Sequence, residues 1–351
     1  MKAPVNPQWT VRGRRDRVSL RVRRRAAFVA CALAALCLVV LLASLLTGQF
    51  SISVPGVLRA LAGEGTLQQR YFVNDVRLPR VLTALLVGAA LGTSGAIFQS
   101  LSGNPLGSPD IIGFNGGATA GALVCIIVLH DSSLLVTGSG AVAGGAAVAV
   151  LVYLLAYRAE VTGYRLVLVG VGMNALLGAG IAYLLSRAEL TDSLNAQIWM
   201  VGSLNGRSWD EVWILLVVLA LVLPAAMALS RPLLTLELGS DSAVSLGLSV
   251  HSVRRWAIAL SVLLSAASIV AAGPISFVAL AAPQIAKRLA RSVGPSLVVS
   301  TLTGSCLLAI ADLVSQRVFP AAQMPAGIAT IVLGGLYLGW LLLGELRRGR
   351  A

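Results

Sequence analysis

Charged residues are scarce in this chain of 351 residues: only 12% are Asp, Glu, Lys or Arg, whereas 57% are hydrophobic. A soluble domain has about 25% charged residues, so this composition excludes an ordinary cytosolic enzyme. The high hydrophobic content also excludes a disordered chain. The composition therefore predicts an all-α, polytopic membrane protein with no room for a large soluble catalytic domain.

Lysine is rarer still, since the chain has only Lys2 and Lys287. A P-loop needs a lysine after a glycine-rich turn to reach nucleotide phosphates, and neither lysine follows such a turn. The sequence also has no nucleophile–base pattern and no HExxH motif. We therefore expect no catalytic residues and no cofactor. If transport is uphill, its energy must come from another polypeptide.

Ionisable residues are nearly absent from the middles of the apolar runs. Ion-coupled transporters need such groups at depth, which disfavours a secondary porter, although backbone carbonyls could still hold Na⁺. The four cysteines form no CxxC pair, so no metal site is expected. Three hypotheses stay open at this point. They are a transporter powered by another polypeptide, a secondary porter that uses Na⁺, and a structural membrane subunit without transport.

Ten apolar runs, separated by charged or turn-forming breaks, predict about ten membrane helices. The runs cover residues 26–46, 81–99, 111–130, 134–157, 166–186, 212–230, 256–273, 275–290, 297–315 and 327–344. Glycines four residues apart, such as Gly88 and Gly92, predict that some of these helices pack with their backbones close together.

The basic residues predict the orientation. Nine of the 27 Lys and Arg lie in residues 1–25, directly before the first apolar run, and such a tail marks the cytoplasmic side. With an even number of spans, 20 basic residues lie inside and seven outside. We expect a basic cytoplasmic tail over 1–25, a membrane domain over 26–346 and a basic cytoplasmic end over 347–351. The net charge of +13 is explained by the lipid membrane, so no nucleic-acid partner is expected.

Two stretches beside the second span are too particular for simple linkers. Arg77-Leu-Pro-Arg80 places two arginines on the outer side, where they suit an acidic partner or anchor the helix at the interface. Residues 103–113 combine turn formers on the cytoplasmic side. This second stretch could form a gate or a tight hairpin turn.

Of two further stretches, one is predicted in a cytoplasmic loop and the other is a span with a basic cytoplasmic end. In residues 236–247, Ser240 or Asp241 can cap a short helix and Gly247 can end it. Such a helix suits docking into a partner's groove, or it could lie on lipid. Residues 273–288 combine a proline-broken span with a basic end, which also fits a kinked packing helix.

Together these stretches resemble the permease subunits of ATP-binding-cassette importers for iron–siderophore complexes, haem and vitamin B12, the FecCD type. The resemblance covers residues 26–346, with the motifs in the same order. The sequences NPLGSPDIIGFNGGA and GPISFVALAAPQIAKRLA are similar to those of permeases for ferric enterobactin, a catecholate siderophore. The resemblance implies import of such a ferric siderophore across the cytoplasmic membrane, with another siderophore, haem or vitamin B12 as alternatives.

The resemblance also implies an architecture and partners. Helices 2–5 and 7–10 would be inverted halves of a ten-helix fold. An ATPase dimer would bind on the cytoplasmic side and hydrolyse ATP, beside a second permease subunit that is identical or homologous. An extracytoplasmic siderophore-binding protein would deliver the cargo.

Site residues follow from the same resemblance. By position, Arg77, Arg80 and Arg317 would dock the binding protein, and Asn104 and Leu106 would form the cytoplasmic gate. The ATPase would meet a coupling loop over about 236–249, at the patterned residues Leu236, Gly239, Ala243, Leu246 and Gly247.

Three positions depart from the family pattern. Gly103 stands where an arginine is common, and Gln284 stands where a histidine is common. Gln316 occupies the usual place of the third docking arginine, and Arg317 lies one residue beyond it.

Overall fold

The computed structural model describes residues 8–12, 19–48, 50–156, 163–292, 294–318 and 324–348. In the N-terminal tail, β1 (Gln8–Arg12) and β2 (Ser19–Arg23) form an antiparallel hairpin. The rest is helical: α1 (Arg24–Leu46), α2 (Val54–Leu61), α3 (Leu67–Arg70), α4 (Leu78–Ser102), α5 (Phe114–Ile127), α6 (Leu134–Ala156), α7 (Gly163–Arg187), α8 (Leu190–Val201), α9 (Trp209–Ala228), α10 (Ser230–Leu236), α11 (Ser240–Ser245), α12 (Val250–Ala272), α13 (Val278–Ala290), α14 (Leu297–Val318) and α15 (Ala326–Arg348).

Each of the ten predicted apolar runs coincides with one helix: α1, α4, α5, α6, α7, α9, α12, α13, α14 or α15. Within the described residues, seven helical segments have the length and composition to cross a membrane, and two shorter apolar helices accompany them. The predicted helical, polytopic fold is thus confirmed for the membrane segments, while the hairpin of the N-terminal tail was not predicted. The number of ten crossings and the inverted relationship of the two halves stay predictions.

Some predicted features lie outside the described residues. They include most of the basic side chains of the tail, Arg158 on the inner side, and the last three residues of the basic C-terminal end. The proposed domain boundaries therefore stay predictions.

Helix α4 is the centre of the bundle, because its residues 87–100 are all buried. At Gly88 it meets the backbone of α14 at Gly304 so closely that an added Cβ would overlap the Gly304 carbonyl. At Gly95 an added Cβ would overlap the carbonyl of Ala279, in the first turn of α13. The spacing of Gly88 and Gly92 thus marks a place where two helix backbones touch, as expected for packing in lipid.

The sequence analysis missed the short helices between the spans, α2, α3 and α8. One local signal was available. The Thr66 hydroxyl accepts a bond from the Gln69 N–H at 3.2 Å, and Gln69 Oε1 accepts one from the Thr66 N–H at 3.3 Å. This reciprocal capping box is readable from the spacing of the two residues.

Candidate functional site

Arg77 lies at the end of a π-helical segment, Tyr71–Arg77, that leads into α4. The Leu78 N–H donates to the carbonyl of Val73, five residues back. Pro79 follows and has no N–H to donate, so a regular α-helical ladder cannot run through this point. Such π-helical turns often mark functional positions.

The guanidinium of Arg77 donates hydrogen bonds to two backbone carbonyls. Its Nη1 donates to the carbonyl of Leu45 at 2.7 Å, and its Nη2 donates to the carbonyl of Phe50. These bonds join the end of α1 to the start of α4. The half-buried side chain therefore supports the fold of the predicted outer face, and its docking role stays a prediction.

Arg80 forms a bidentate salt bridge with Asp312 of α14. Its Nη2 lies 2.7 Å from Oδ1 and its Nε donates to Oδ2 at 3.0 Å. The two side chains are only 19% and 3% exposed. The arginine thus points into the bundle and links α4 to α14, and any docking by Arg80 has to compete with this pair.

Gln316 and Arg317, the two residues at and beside the predicted third docking position, lie in different environments. Gln316 faces inward and donates to Asp312 Oδ2 at 2.8 Å, which completes the surroundings of that carboxylate. Arg317 is exposed at the end of α14. Of the three predicted docking arginines, it is the one whose side chain no described contact commits to the fold.

The predicted gate is a compact turn directly after α4. Gly103 adopts φ +62°, which a glycine tolerates without strain. The Asn104 side chain accepts a bond from the Leu106 N–H at 2.9 Å, and its carbonyl accepts one from the Gly107 N–H at 2.9 Å. This Asx-type turn leaves the Leu106 side chain partly exposed.

Gln284 ties this turn to α13. Its Nε2 donates to the carbonyl of Pro105 at 2.9 Å and to Gln99 Oε1 at 2.7 Å. Gln99 in turn donates to the carbonyl of Leu280 at 3.0 Å. In the sequence Gln284 is only a departure from the family pattern. Gln99 was not predicted, and its signal in the sequence is a lone amide inside an apolar run.

Asp110 anchors the second half of the gate stretch. It lies in the 3₁₀ turn Pro109–Ile112 and accepts a bond from the Asn115 side chain. The Asn174 side chain of α7 donates to the Asp110 carbonyl at 3.1 Å. Burial raises the pKa of Asp110 to about 7. Through its hydrogen bonds the gate stretch is connected to α5 and α7 as well as to α13.

The predicted coupling loop, about 236–249, begins at the last residue of α10 and contains α11, with a turn at Gly239 (φ +104°) between the two helices. Gly247, at φ +80°, ends α11: its N–H donates to the carbonyl of Val244, and the Leu248 N–H donates to that of Ala243. This is the Schellman arrangement, and it confirms the predicted helix end.

The predicted start of α11 is wrong in its detail. Neither Ser240 nor Asp241 caps the helix, because the N-cap residue is Gly239 and no side chain bonds there. The Ser240 hydroxyl instead accepts a bond from Arg254 of α12 at 3.0 Å. The Ser240 hydroxyl oxygen, which a local cap would use, thus bonds to a residue of another helix.

The coupling loop has two faces. Leu236 and Ala243 are buried and pack with Val250 of α12. Val244 and Leu246 are 61% and 68% exposed. The loop is thus attached to the bundle on one side and presents large apolar side chains on the other.

Comparison with known proteins agrees with this arrangement. The profile of the FecCD transport family matches residues 36–344. The ferric enterobactin transport system permease protein of Escherichia coli strain K12 is 42% identical over 327 residues, 93% of this chain and 99% of that protein. The iron(3+)-hydroxamate permease of Bacillus subtilis is 34% identical, over 88% of this chain and 94% of that protein. The vitamin B12 permease of E. coli O157:H7 is also 34% identical, over 89% and 93%.

Solved structures share the fold. An inward-facing metal-chelate type ABC transporter has a TM-score of 0.81 at 27% identity, covering 91% of this chain and 99% of its own. FecCD permeases work with a second permease subunit, a periplasmic binding protein and a separate ATPase subunit that hydrolyses ATP. These findings decide against the ion-coupled porter and the structural subunit. The chain belongs to the FecCD transport family and is an inner-membrane permease subunit of an ATP-binding-cassette importer.

Proposed function

We propose that this permease moves a ferric siderophore of the catecholate class, such as ferric enterobactin, into the cytoplasm. The observation that carries the proposal is the 42% identity to the ferric enterobactin permease over 93% of the chain. Relatives named for hydroxamate and vitamin B12 are 34% identical. The proposal includes the orientation with both termini and the 236–249 loop in the cytoplasm, which the distribution of Lys and Arg supports.

The proposed mechanism needs no tight cargo site in this chain. The binding protein recognises the chelate and docks on the outer face, with Arg317 and Arg77 as contacts. On the inner side, the ATPase holds the exposed face of α11. ATP binding and hydrolysis then shift the permease between outward- and inward-facing states through different contacts in each state, and the turn at Asn104 and Leu106 opens and closes the exit.

Transport in reconstituted vesicles tests the cargo. The vesicles contain this chain, its permease partner and the ATPase, with the binding protein and radiolabelled ferric enterobactin added. We expect ATP-dependent uptake that unlabelled ferric enterobactin suppresses and that ferric hydroxamate or vitamin B12 does not. Uptake suppressed by a hydroxamate or by vitamin B12 instead would assign another cargo.

Leu246→Glu is expected to weaken the association with the ATPase by about tenfold or more, because it places a charge on the exposed apolar face of Val244 and Leu246. Copurification of the ATPase with tagged permease measures this loss. Leu190→Glu is the matched control, since Leu190 is 78% exposed and lies on α8, on the proposed outer side. Equal ATPase recovery from both variants would contradict the docking face.

Arg317→Glu is expected to weaken docking of the binding protein by about fivefold at low salt, because it reverses a charge on the proposed contact surface. Binding of the loaded binding protein to reconstituted permease measures it. A matching acid-to-arginine change on the binding protein should restore part of the affinity. Arg59→Glu, an exposed arginine on α2 outside the docking set, should have little effect. If Arg59→Glu weakened binding as much as Arg317→Glu, the assigned docking position would be wrong.

A further inference from the structure

We propose that Glu237 is a positioning residue that connects the coupling loop to the cytoplasmic gate through Ser100 and Lys287. This inference rests on the proposed function, because it assigns a transmission step within the same transport cycle. None of the three residues belongs to the docking, gate or coupling positions that the family pattern suggested.

Glu237 lies in the coupling loop, between the end of α10 and the start of α11. It directly follows α10, its N–H donates to the carbonyl of Leu233 at 3.0 Å, and Leu233 is fully buried in the bundle. Gly239, two residues later, begins the turn into α11. A displacement of α11 by the ATPase therefore reaches Glu237 through the short turn at Gly239, in parallel with the direct contact of α11 with α12 at Ser240 and Arg254.

The Glu237 carboxylate contacts two other elements. Its Oε1 accepts a bond from the Ser100 hydroxyl of α4 at 2.7 Å and lies 3.6 Å from the Lys287 ammonium of α13. Its Oε2 faces Gly294 in the loop after α13, where an added Cβ would lie 3.6 Å away. The side chains of Glu237 and Lys287 are 23% and 29% exposed, so the pair is shielded from most of the solvent and less screened than a surface pair.

Ser100 lies within one helical turn of the gate stretch, and Lys287 lies within one turn of Gln284, which bonds to that stretch. Ser100 precedes Gly103 by three residues on α4, and Lys287 follows Gln284 by three residues on α13. Gln284 itself donates to the Pro105 carbonyl inside the gate turn. Two connections between α4 and α13 thus lie about one helical turn apart. The Glu237 carboxylate links both helices to the coupling loop, and the Gln284 amide links them to the gate turn.

The charge of the Lys287 ammonium is stabilised by the Glu237 carboxylate. Among the described residues, Glu237 is the acidic group that the structure pairs with Lys287. When the coupling loop moves away, the half-buried ammonium loses its partner, which disfavours the arrangement of α4 and α13 that the pair stabilises. A shift in the loop is thereby converted into a shift in the gate equilibrium, as coupling between two sites requires.

The experiment compares iron uptake with ATP hydrolysis in the same vesicles of the complete importer. Glu237→Gln keeps the shape and a possible bond to Ser100 but removes the charge. We expect hydrolysis to continue while uptake per ATP falls by about fivefold or more, a typical size for coupling between sites. Lys287→Gln should give the same phenotype, and the exchange Glu237→Lys with Lys287→Glu should restore part of the ratio.

The matched control is Glu64→Gln, the same substitution at an exposed position on the outer side, which should leave the ratio unchanged. An unchanged ratio in Glu237→Gln would overturn the inference. So would a parallel loss of uptake and hydrolysis with a lowered melting temperature, since that marks a merely structural role. The ratio is measured with whichever chelate the binding protein carries, so a wrong cargo assignment is recognised separately.

Discussion

Asp312→Asn is expected to destabilise the permease by about 3 kcal/mol, because removing one partner of a buried ion pair leaves the other charge uncompensated. Arg80 is only 19% exposed, and its Nε and Nη2 both bond to this carboxylate. The same change leaves a single carbonyl oxygen as the acceptor for both Arg80 and Gln316. Loss of helical circular dichroism during SDS unfolding measures the effect.

Two further variants sharpen this prediction. Asp75→Asn replaces an exposed acid in the segment before α4 and should change stability little. The exchange Arg80→Asp with Asp312→Arg should recover part of the lost stability. Wild-type stability in Asp312→Asn would contradict the account of the pair.

The ion pair with Asp312 bears on whether Arg80 stabilises the fold or docks the binding protein. If its role is to join α4 to α14, Arg80→Glu lowers stability and uptake together. If it docks the binding protein, Arg80→Glu lowers uptake while the unfolding curve is unchanged, and charge reversal on the binding protein rescues it. The observed pairing favours the first outcome.

Gly95→Ala is expected to destabilise the bundle by about 3 kcal/mol, at the upper end of overpacking effects, because the new methyl group overlaps a backbone carbonyl that cannot rotate away. To accommodate it, α4 and the first turn of α13 must separate. The gate turn lies on the same two helices, so uptake should fall as well. SDS unfolding and vesicle uptake measure the two effects.

Gly180→Ala is the matched control. Gly180 lies in α7, and no described atom lies within 4 Å of an added Cβ. Alanine also has the higher helix propensity, by about 1 kcal/mol, so this variant should be at least as stable as wild type. Similar losses in both variants would show that the contact at Gly95 has no special role.

The spanning helices were predictable because lipid demands long apolar runs, and the turn and cap residues around Gly103 and Gly247 are local signals. The pair of Arg80 and Asp312 was not predictable. Its members are 232 residues apart, and Asp312 in sequence is only an acid near a span end.

The gate and coupling connections escaped prediction for the same reason. The contacts of Gln99 with Gln284 form only when the fold brings α4 and α13 together, and the contact of Glu237 with Lys287 forms only when it brings the end of α10 to α13. The start of α11 shows the opposite case. Ser240 is a plausible local cap, but its hydroxyl accepts a bond from Arg254 of α12 instead.

Iron accumulation in vesicles with and without a working ATPase tests the central claim most directly. The claim is that this chain contributes the passage and its movement, while the energy enters through the coupling loop. We predict that ferric siderophore accumulates against its gradient only when both permeases, the binding protein, ATP and a hydrolysis-competent ATPase are present. Accumulation by this permease without the ATPase, driven by an ion gradient, would contradict the account.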